Sequence, residues 1–188
     1  RETSMVKLYV LASLAFSLTA PFASAQVAIL GSGVSKDCYE AAKYQRVSAR
    51  EGEEICTKAL EAEVMNITNK AATYTNRGVL RMRAGRLEAA LSDYDIAKQM
   101  RPDEGATYLN EGAAHILRKD YTSALVSLDK AIELNSHDLY AAFYNRAIAK
   151  ENTGDIRGAY FDFKTADELN PESDLARKQM ARFEISTN

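Results

Sequence analysis

Histidine, a common catalytic and metal-binding side chain, is scarce in this chain, which has two. Neither of its two histidines has a second histidine, a cysteine or a carboxylate at metal-ligand spacing. The carboxylate pairs Asp93 with Asp95 and Glu53 with Glu54 stand two residues apart and adjacent, and such positions point in different directions on a helix. We expect these carboxylates to be solvated rather than to form acid–base pairs. The sequence therefore predicts no enzyme activity, no metal and no cofactor.

The two cysteines are the other reactive side chains. Cys38 and Cys56 lie nine residues on either side of position 47, near the expected turn of a helical hairpin. An antiparallel hairpin would place them face to face, and we expect a disulfide that closes an 18-residue loop. Such a loop corresponds to about 3 kcal/mol of stabilisation in the chain-entropy account. Two buried thiols are the alternative, and the lack of a C-x-x-C motif argues against a redox role.

A repeat of about 34 residues organises the middle of the chain, and its three copies span 71–104, 105–138 and 140–173. An aromatic residue in each copy is followed four positions later by a small one: Tyr74 and Gly78, Tyr108 and Gly112, Phe143 and Ala147. A second segment carries a small–large–small series: Ala90, Tyr94, Ala97; Ala124, Leu128, Ala131; Ala159, Phe163, Ala166. The i, i+4, i+7 spacing predicts two helices per copy.

This pattern, with Pro102 and Pro171 near the repeat ends, resembles the tetratricopeptide repeat (TPR). The resemblance implies an all-α fold, a right-handed superhelix of helix-turn-helix repeats, and a role in binding proteins. The chain departs from the family at the position three residues after the small one, where an aromatic is usual: Arg81, His115 and Lys150 stand there. One extra residue near 137–139 lengthens the step to the third copy.

The two ends of the chain differ from the repeats. Residues 1–25 combine Lys7, an apolar run and an A-x-A site, which predicts a signal peptide with a short upstream extension, cut after Ala25. An uncleaved anchor is the alternative. We expect a flexible lead-in at 26–35, a degenerate capping helical hairpin at 36–65 and a capping helix at 174–185. The predicted location is the periplasm, or outside the cell.

In the family that the chain resembles, the first helix of each repeat lines a concave groove. The resemblance places fifteen residues there: Thr75, Asn76, Val79, Met82, Arg83, Leu109, Asn110, Ala113, Ile116, Leu117, Tyr144, Asn145, Ile148, Glu151 and Asn152. The inward lysines of the family's carboxylate-binding members are missing, since Thr75, Val79 and Ala141 stand at those positions.

Asparagine recurs at one equivalent position of all three repeats, as Asn76, Asn110 and Asn145. An amide offers both a donor and an acceptor, which suits an extended peptide backbone, although surface asparagines without a ligand are the alternative. The remaining groove wall is mainly apolar. It could be covered by the lead-in itself (27–30) or by a second copy of the chain, so self-association is a further possibility.

The sequence thus favours a scaffold that binds a peptide or helix of another protein. The alternative is an accessory subunit of an envelope or secretion complex that uses its convex face and caps. The formal net charge of −2 gives no electrostatic footprint for nucleic acid. We expect no stable membrane anchor after cleavage of the signal segment.

Overall fold

The computed structural model describes residues 6–10, 25–28 and 33–187, with the side chains described for 25–28 and 33–183. Nine helices lie in these ranges. They are α1 (Val34–Tyr44), α2 (Ala49–Ala62), α3 (Ile67–Arg83), α4 (Leu87–Met100), α5 (Gly105–Leu117), α6 (Tyr121–Glu133), α7 (Leu139–Asn152), α8 (Ile156–Leu169) and α9 (Leu175–Met180). Each helix packs against the next along the chain, and the predicted all-α helical-repeat fold is confirmed.

The helix pairs α3–α4, α5–α6 and α7–α8 are the three repeats, and each pair crosses at the small residue of its first helix. A Cβ atom at Gly78 would overlap the Tyr94 ring, and one at Gly112 would overlap the Leu128 side chain. Both large residues are fully buried. The pattern of small and large residues therefore fixes how closely the two helices of a repeat approach.

Short turns join the helices of each repeat. Gly85, Lys119 and Gly154 occupy equivalent positions in these turns, and all three have positive φ. Aspartates cap the second helices of repeats 2 and 3: the Ser123 N–H donates to Asp120 Oδ1, and the Gly158 N–H donates to Asp155 Oδ1. The second helix of repeat 1 begins after Arg86 without a side-chain cap. Turn and cap geometry thus end one helix and begin the next within a few residues.

The hairpin α1–α2 covers the front of the repeats and contains the predicted disulfide between Cys38 and Cys56. Both sulfur-bearing residues are fully buried and cluster with Ala42 and with Leu80 of α3. The hairpin packs on the first repeat through α3. The disulfide therefore lies where the cap meets the repeat array.

The C-terminal end departs from the sequence prediction. The helix expected over 174–185 ends at Met180, and a strand β2 (Phe183–Thr187) follows, paired antiparallel with β1 (Val6–Val10). Aromatic and β-branched residues in Phe183–Thr187 favour an extended backbone over a helix. Phe183 still buries its ring, which packs edge-on against Phe163 at a centroid distance of 6.1 Å. The predicted capping helix is thus correct for its first half and wrong beyond it.

Strand β1 lies within the predicted signal segment, so the pairing of β1 with β2 belongs to the uncleaved chain. Most of residues 1–24 fall outside the described ranges, and the signal peptide stays a prediction. Among the helices that the structure describes, none has both the length and the apolar character of a membrane span.

Removing the disulfide tests how much the cap contributes to stability. We expect the double variant Cys38→Ala, Cys56→Ala to lose about 3 kcal/mol, because its unfolded state regains the loop entropy. For a chain of this size the loss corresponds to a decrease of about 6–12 °C in Tm. Thermal denaturation followed by circular dichroism measures it. Identical curves for the parent protein with and without reductant would contradict the expectation.

The small residues at the helix crossings give a second test. Ala124 is fully buried, and Ala124→Leu should cost about 1–3 kcal/mol because the added atoms have no space. Val126→Leu on the same helix is the control, since Val126 is 69% exposed and should change stability by less than about 0.5 kcal/mol. Urea denaturation of both variants compares them. Equal stability of the two would show that Ala124 does not lie at a tight crossing.

Candidate functional site

The first helices of the repeats carry asparagines that hold residues 25–27 of the same chain. This segment joins the last residue of the predicted signal segment to the start of the predicted lead-in, and it is called the lead-in below. The Val27 N–H donates to Asn76 Oδ1 over 3.1 Å, and Asn76 Nδ2 donates to the Val27 carbonyl over 2.9 Å. In the next repeat, the Ala25 N–H donates to Asn110 Oδ1 over 3.0 Å, and Asn110 Nδ2 donates to the Ala25 carbonyl over 2.6 Å. Each amide therefore satisfies both backbone groups of one residue, as a neighbouring β-strand would.

The lead-in crosses the repeats in a defined direction and register. Asn76 in repeat 1 holds Val27, and Asn110 in repeat 2 holds Ala25, so the residue number of the lead-in decreases as the repeat number increases. One repeat corresponds to two residues of extended chain, about 6.6 Å of peptide. The described part of this segment begins at Ala25, so the register is described for repeats 1 and 2.

Asn145 occupies the equivalent position in repeat 3 and is fully buried. Its Oδ1 and Nδ2 have no hydrogen-bond partner within the described part of the chain. A buried amide without partners loses a substantial part of its solvation free energy. A ligand that donated to Asn145 Oδ1 and accepted from Asn145 Nδ2 would restore it. The three asparagines, Asn76, Asn110 and Asn145, are called the asparagine row below.

Several other residues predicted for the groove are engaged within the repeat array. The Thr75 hydroxyl lies 2.9 Å from the Thr107 hydroxyl of the next repeat. Tyr144 packs edge-on against Phe163, with 5.4 Å between ring centroids. Its hydroxyl accepts a hydrogen bond from Gln179 Nε2 over 3.3 Å. These side chains join neighbouring helices, so their first role is structural.

The C-terminal ends of the first helices differ from one repeat to the next. Arg83 donates to the Ala42 carbonyl of the cap, and burial lowers the pKa of its guanidinium. Glu151 accepts two hydrogen bonds from Arg182, of 2.8 and 2.7 Å. Leu117 and Asn152 are exposed. The remaining predicted groove residues are buried, namely Val79, Met82, Leu109, Ala113, Ile116 and Ile148.

The expectation that neighbouring carboxylates are solvated is wrong for one member of each pair. The Asp93 side chain is 1% exposed and accepts hydrogen bonds from Arg77 Nη2 at 2.8 Å and Nε at 3.0 Å. Arg81 Nη1 lies 2.9 Å from Asp93 Oδ2, the oxygen that also accepts from Arg77 Nε. Glu53 is also buried and pairs with Arg81 Nε over 2.9 Å. These carboxylates therefore neutralise cations between helices.

The ion pairs also explain why the family's usual aromatic is replaced in two repeats. In repeat 3, Asp162 accepts from Arg146 Nε at 2.7 Å, and Lys150 Nζ lies 2.9 Å from it. Burial by itself lowers the pKa of Arg146, but hydrogen bonds to Asp162 and Asp129 outweigh it and leave the pKa above its ordinary value. Arg81 and Lys150 thus stand at aromatic positions because each meets a buried aspartate of its own repeat.

Repeat 2 uses different partners at the same places. Ser127 stands where the other repeats have an aspartate, and its hydroxyl donates to Glu111 Oε2 over 3.0 Å. Lys98 of repeat 1 pairs with the other Glu111 oxygen. His115 Nδ1 lies 3.5 Å from Asp120 Oδ2. Within the described residues no group of three or more His, Cys, Asp or Glu side chains could hold a metal ion.

Asp93 and Asp95 form a matched pair for testing these contacts. Asp93→Asn should destabilise the fold by about 3–5 kcal/mol, because two arginines would lose a buried counter-charge. Asp95 is 62% exposed and pairs with Lys98 of its own helix over 3.0 Å, so Asp95→Asn should change stability by less than about 1 kcal/mol. Urea denaturation of both variants measures the difference. Similar midpoints for the two would contradict a buried role for Asp93.

Comparison with known proteins supports the same fold. No family model matches the sequence. Human Superkiller complex protein 3 (Homo sapiens) is 32% identical over 93 residues, which cover 46% of this chain and 6% of that protein. The chain therefore corresponds to a small part of this curated relative's length.

Solved structures extend the similarity over more of the chain. The first TPR of Spaghetti (RPAP3), bound to the HSP90 peptide SRMEEVD, covers 60% of this chain with a TM-score of 0.58 and 20% identity, and 89% of that structure is matched. MamA (41-end) from Desulfovibrio magneticus RS-1 covers 79% with a TM-score of 0.64 and 17% identity, and 82% of it is matched. With the repeat pattern of the sequence, these similarities identify the chain as a protein with the tetratricopeptide-repeat fold.

Proposed function

We propose that this chain is a non-catalytic protein-interaction module whose concave groove binds an extended segment of a partner protein. The observation that carries the proposal is the pairing of Asn76 and Asn110 with both backbone groups of Val27 and Ala25. Because any residue except proline presents the same N–H and C=O groups, the asparagine row can bind extended peptides of many sequences.

Selectivity in this proposal comes from the groove wall rather than from the asparagines. The first helices carry small and branched apolar residues such as Ala113 and Ile148, and both of these are buried. No lysine stands at the three positions that form the carboxylate-binding clamp in the family, which are Thr75, Val79 and Ala141. The peptide would therefore be held along its backbone, with small apolar side chains facing the wall, and a free C-terminal carboxylate would not be needed.

The proposed setting is an oxidising compartment outside the bacterial cytoplasm, with the periplasm as the specific proposal. Two features support it. The N-terminal 25 residues have the composition of a secretory signal. The Cys38–Cys56 disulfide is of a kind that persists in exported proteins and is rare in reducing cytosol.

Exposed apolar residues on the second helices favour a second binding surface, which is the one that an accessory subunit of a larger complex would use. Val126 and Phe161 occupy equivalent positions on the second helices of repeats 2 and 3, and they are 69% and 48% exposed. Large exposed apolar side chains thus recur at the same position of the second helix in neighbouring repeats. Such a pair is suited to docking against a larger assembly.

A synthetic peptide tests backbone recognition directly. The probe is fluorescein-labelled PFASAQVAIL, which copies residues 21–30, and its binding is followed by fluorescence anisotropy. A second version carries N-methyl groups at the residues copied from Ala25 and Val27. Each methyl removes one hydrogen bond to the asparagine row, so we expect about 5-fold weaker binding per methyl.

Variants of the protein locate the binding surface. Asn110→Asp keeps the size of the side chain but removes the Nδ2 donor, and we expect it to weaken peptide binding about 10-fold. Asn135→Asp, in the exposed turn after α6, is the matched control and should leave binding unchanged. If methylated and unmodified peptides bound equally well, the groove would not recognise peptide backbone and the proposal would fail.

A further inference from the structure

The segment Ala25–Val27 is the described occupant of the asparagine row, and it belongs to the chain itself. Four hydrogen bonds of 2.6–3.1 Å hold it, two to Asn76 and two to Asn110. The Ala25 side chain also packs against the main apolar core. An extended segment held in this way uses the same donors and acceptors that a partner's backbone would need.

The lead-in is also tethered at short range. Only the four residues 29–32 separate the described segment 25–28 from Gly33, which precedes α1. A segment attached by a short linker reaches an effective concentration in the millimolar range at its binding surface. A free peptide of similar intrinsic affinity competes poorly with it, because only the open fraction of the protein can bind.

We infer that the lead-in is a built-in competitive ligand of the groove, which a partner must displace. This inference rests on the proposed function, since it assigns the same asparagine row to both ligands. Access is then set by how firmly Val27 and Ala25 are held, and a partner pairs with Asn76 and Asn110 only when the lead-in leaves.

Cleavage at the predicted signal-peptide site would weaken the hold of the lead-in on the groove. A cut between Ala25 and Gln26 falls between the two paired residues and removes the ligand of Asn110 while leaving Val27 on Asn76. The processed chain would then offer Asn110 and the buried amide of Asn145, which has no partner among the described residues, as two adjacent positions for a partner. The partner backbone would run in the direction of the lead-in, with its N-terminal side toward repeat 3.

Proline substitutions in the full-length chain test the inference. Val27→Pro removes the N–H that donates to Asn76 Oδ1, so the lead-in is held less firmly. The peptide PFASAQVAIL should then bind about 5-fold more tightly than it binds the parent. Ala28→Pro is the control, because Ala28 is exposed and extended backbone before a proline is favourable. It should leave peptide affinity within about 2-fold of the parent.

The outcomes separate the inference from the proposed function. If Val27→Pro bound the peptide as the parent does while Asn110→Asp abolished binding, the groove would bind peptides but the lead-in would not compete, and the inference would be wrong. Failure of the peptide to bind the parent, Val27→Pro and Ala28→Pro alike would overturn the proposed function, and the inference with it. Circular dichroism of each variant confirms that the helices are retained.

Discussion

The close approach of the two helices in each repeat is the constraint on which the rest of this structure depends. Gly78 faces Tyr94 and Gly112 faces Leu128 with no space for even one additional carbon. Because these contacts set a similar spacing in successive repeats, residues at equivalent positions recur at a regular interval along the array. The asparagine row inherits that interval, which matches two residues of an extended peptide. Packing at the helix crossings thus positions the asparagines, and their pairing with Val27 and Ala25 sets the register in which the groove holds a backbone.

Charge performs a second structural task between the helices. Asp93 and Asp162 are almost completely buried, and each is neutralised by two cations of the first helix of its own repeat. Repeat 2 replaces this arrangement with a glutamate that accepts from a serine and from the lysine of repeat 1. The repeats therefore share a backbone plan but differ in their polar contacts, which favours one order of assembly over the alternatives.

The sequence was sufficient for the parts of the fold that follow from periodic apolar packing. The helix pairs of the repeats and the disulfide between Cys38 and Cys56 could be predicted, because helical spacing and an antiparallel hairpin place those residues together. Coverage of the groove by the lead-in could be predicted only as one of two possibilities, the other being coverage by a second copy of the chain. Its register could not be predicted, because it depends on distances between repeats.

The burial of Asp93 was missed, since helix spacing alone does not show which carboxylates face a cation on another helix. The strand at Phe183–Thr187 was missed because it depends on pairing with residues distant in sequence.

The central claim is that the asparagine row binds an extended backbone at alternate residues, and amide hydrogen exchange in the free protein tests it most directly. Residue-resolved exchange by NMR compares the Val27 amide, which donates to Asn76, with the amide of exposed Ala28. The account predicts that Val27 exchanges much more slowly than Ala28, and that Asn76→Asp, whose side chain cannot donate to the Val27 carbonyl, reduces this difference. Equal and rapid exchange at both amides in the parent protein would contradict it.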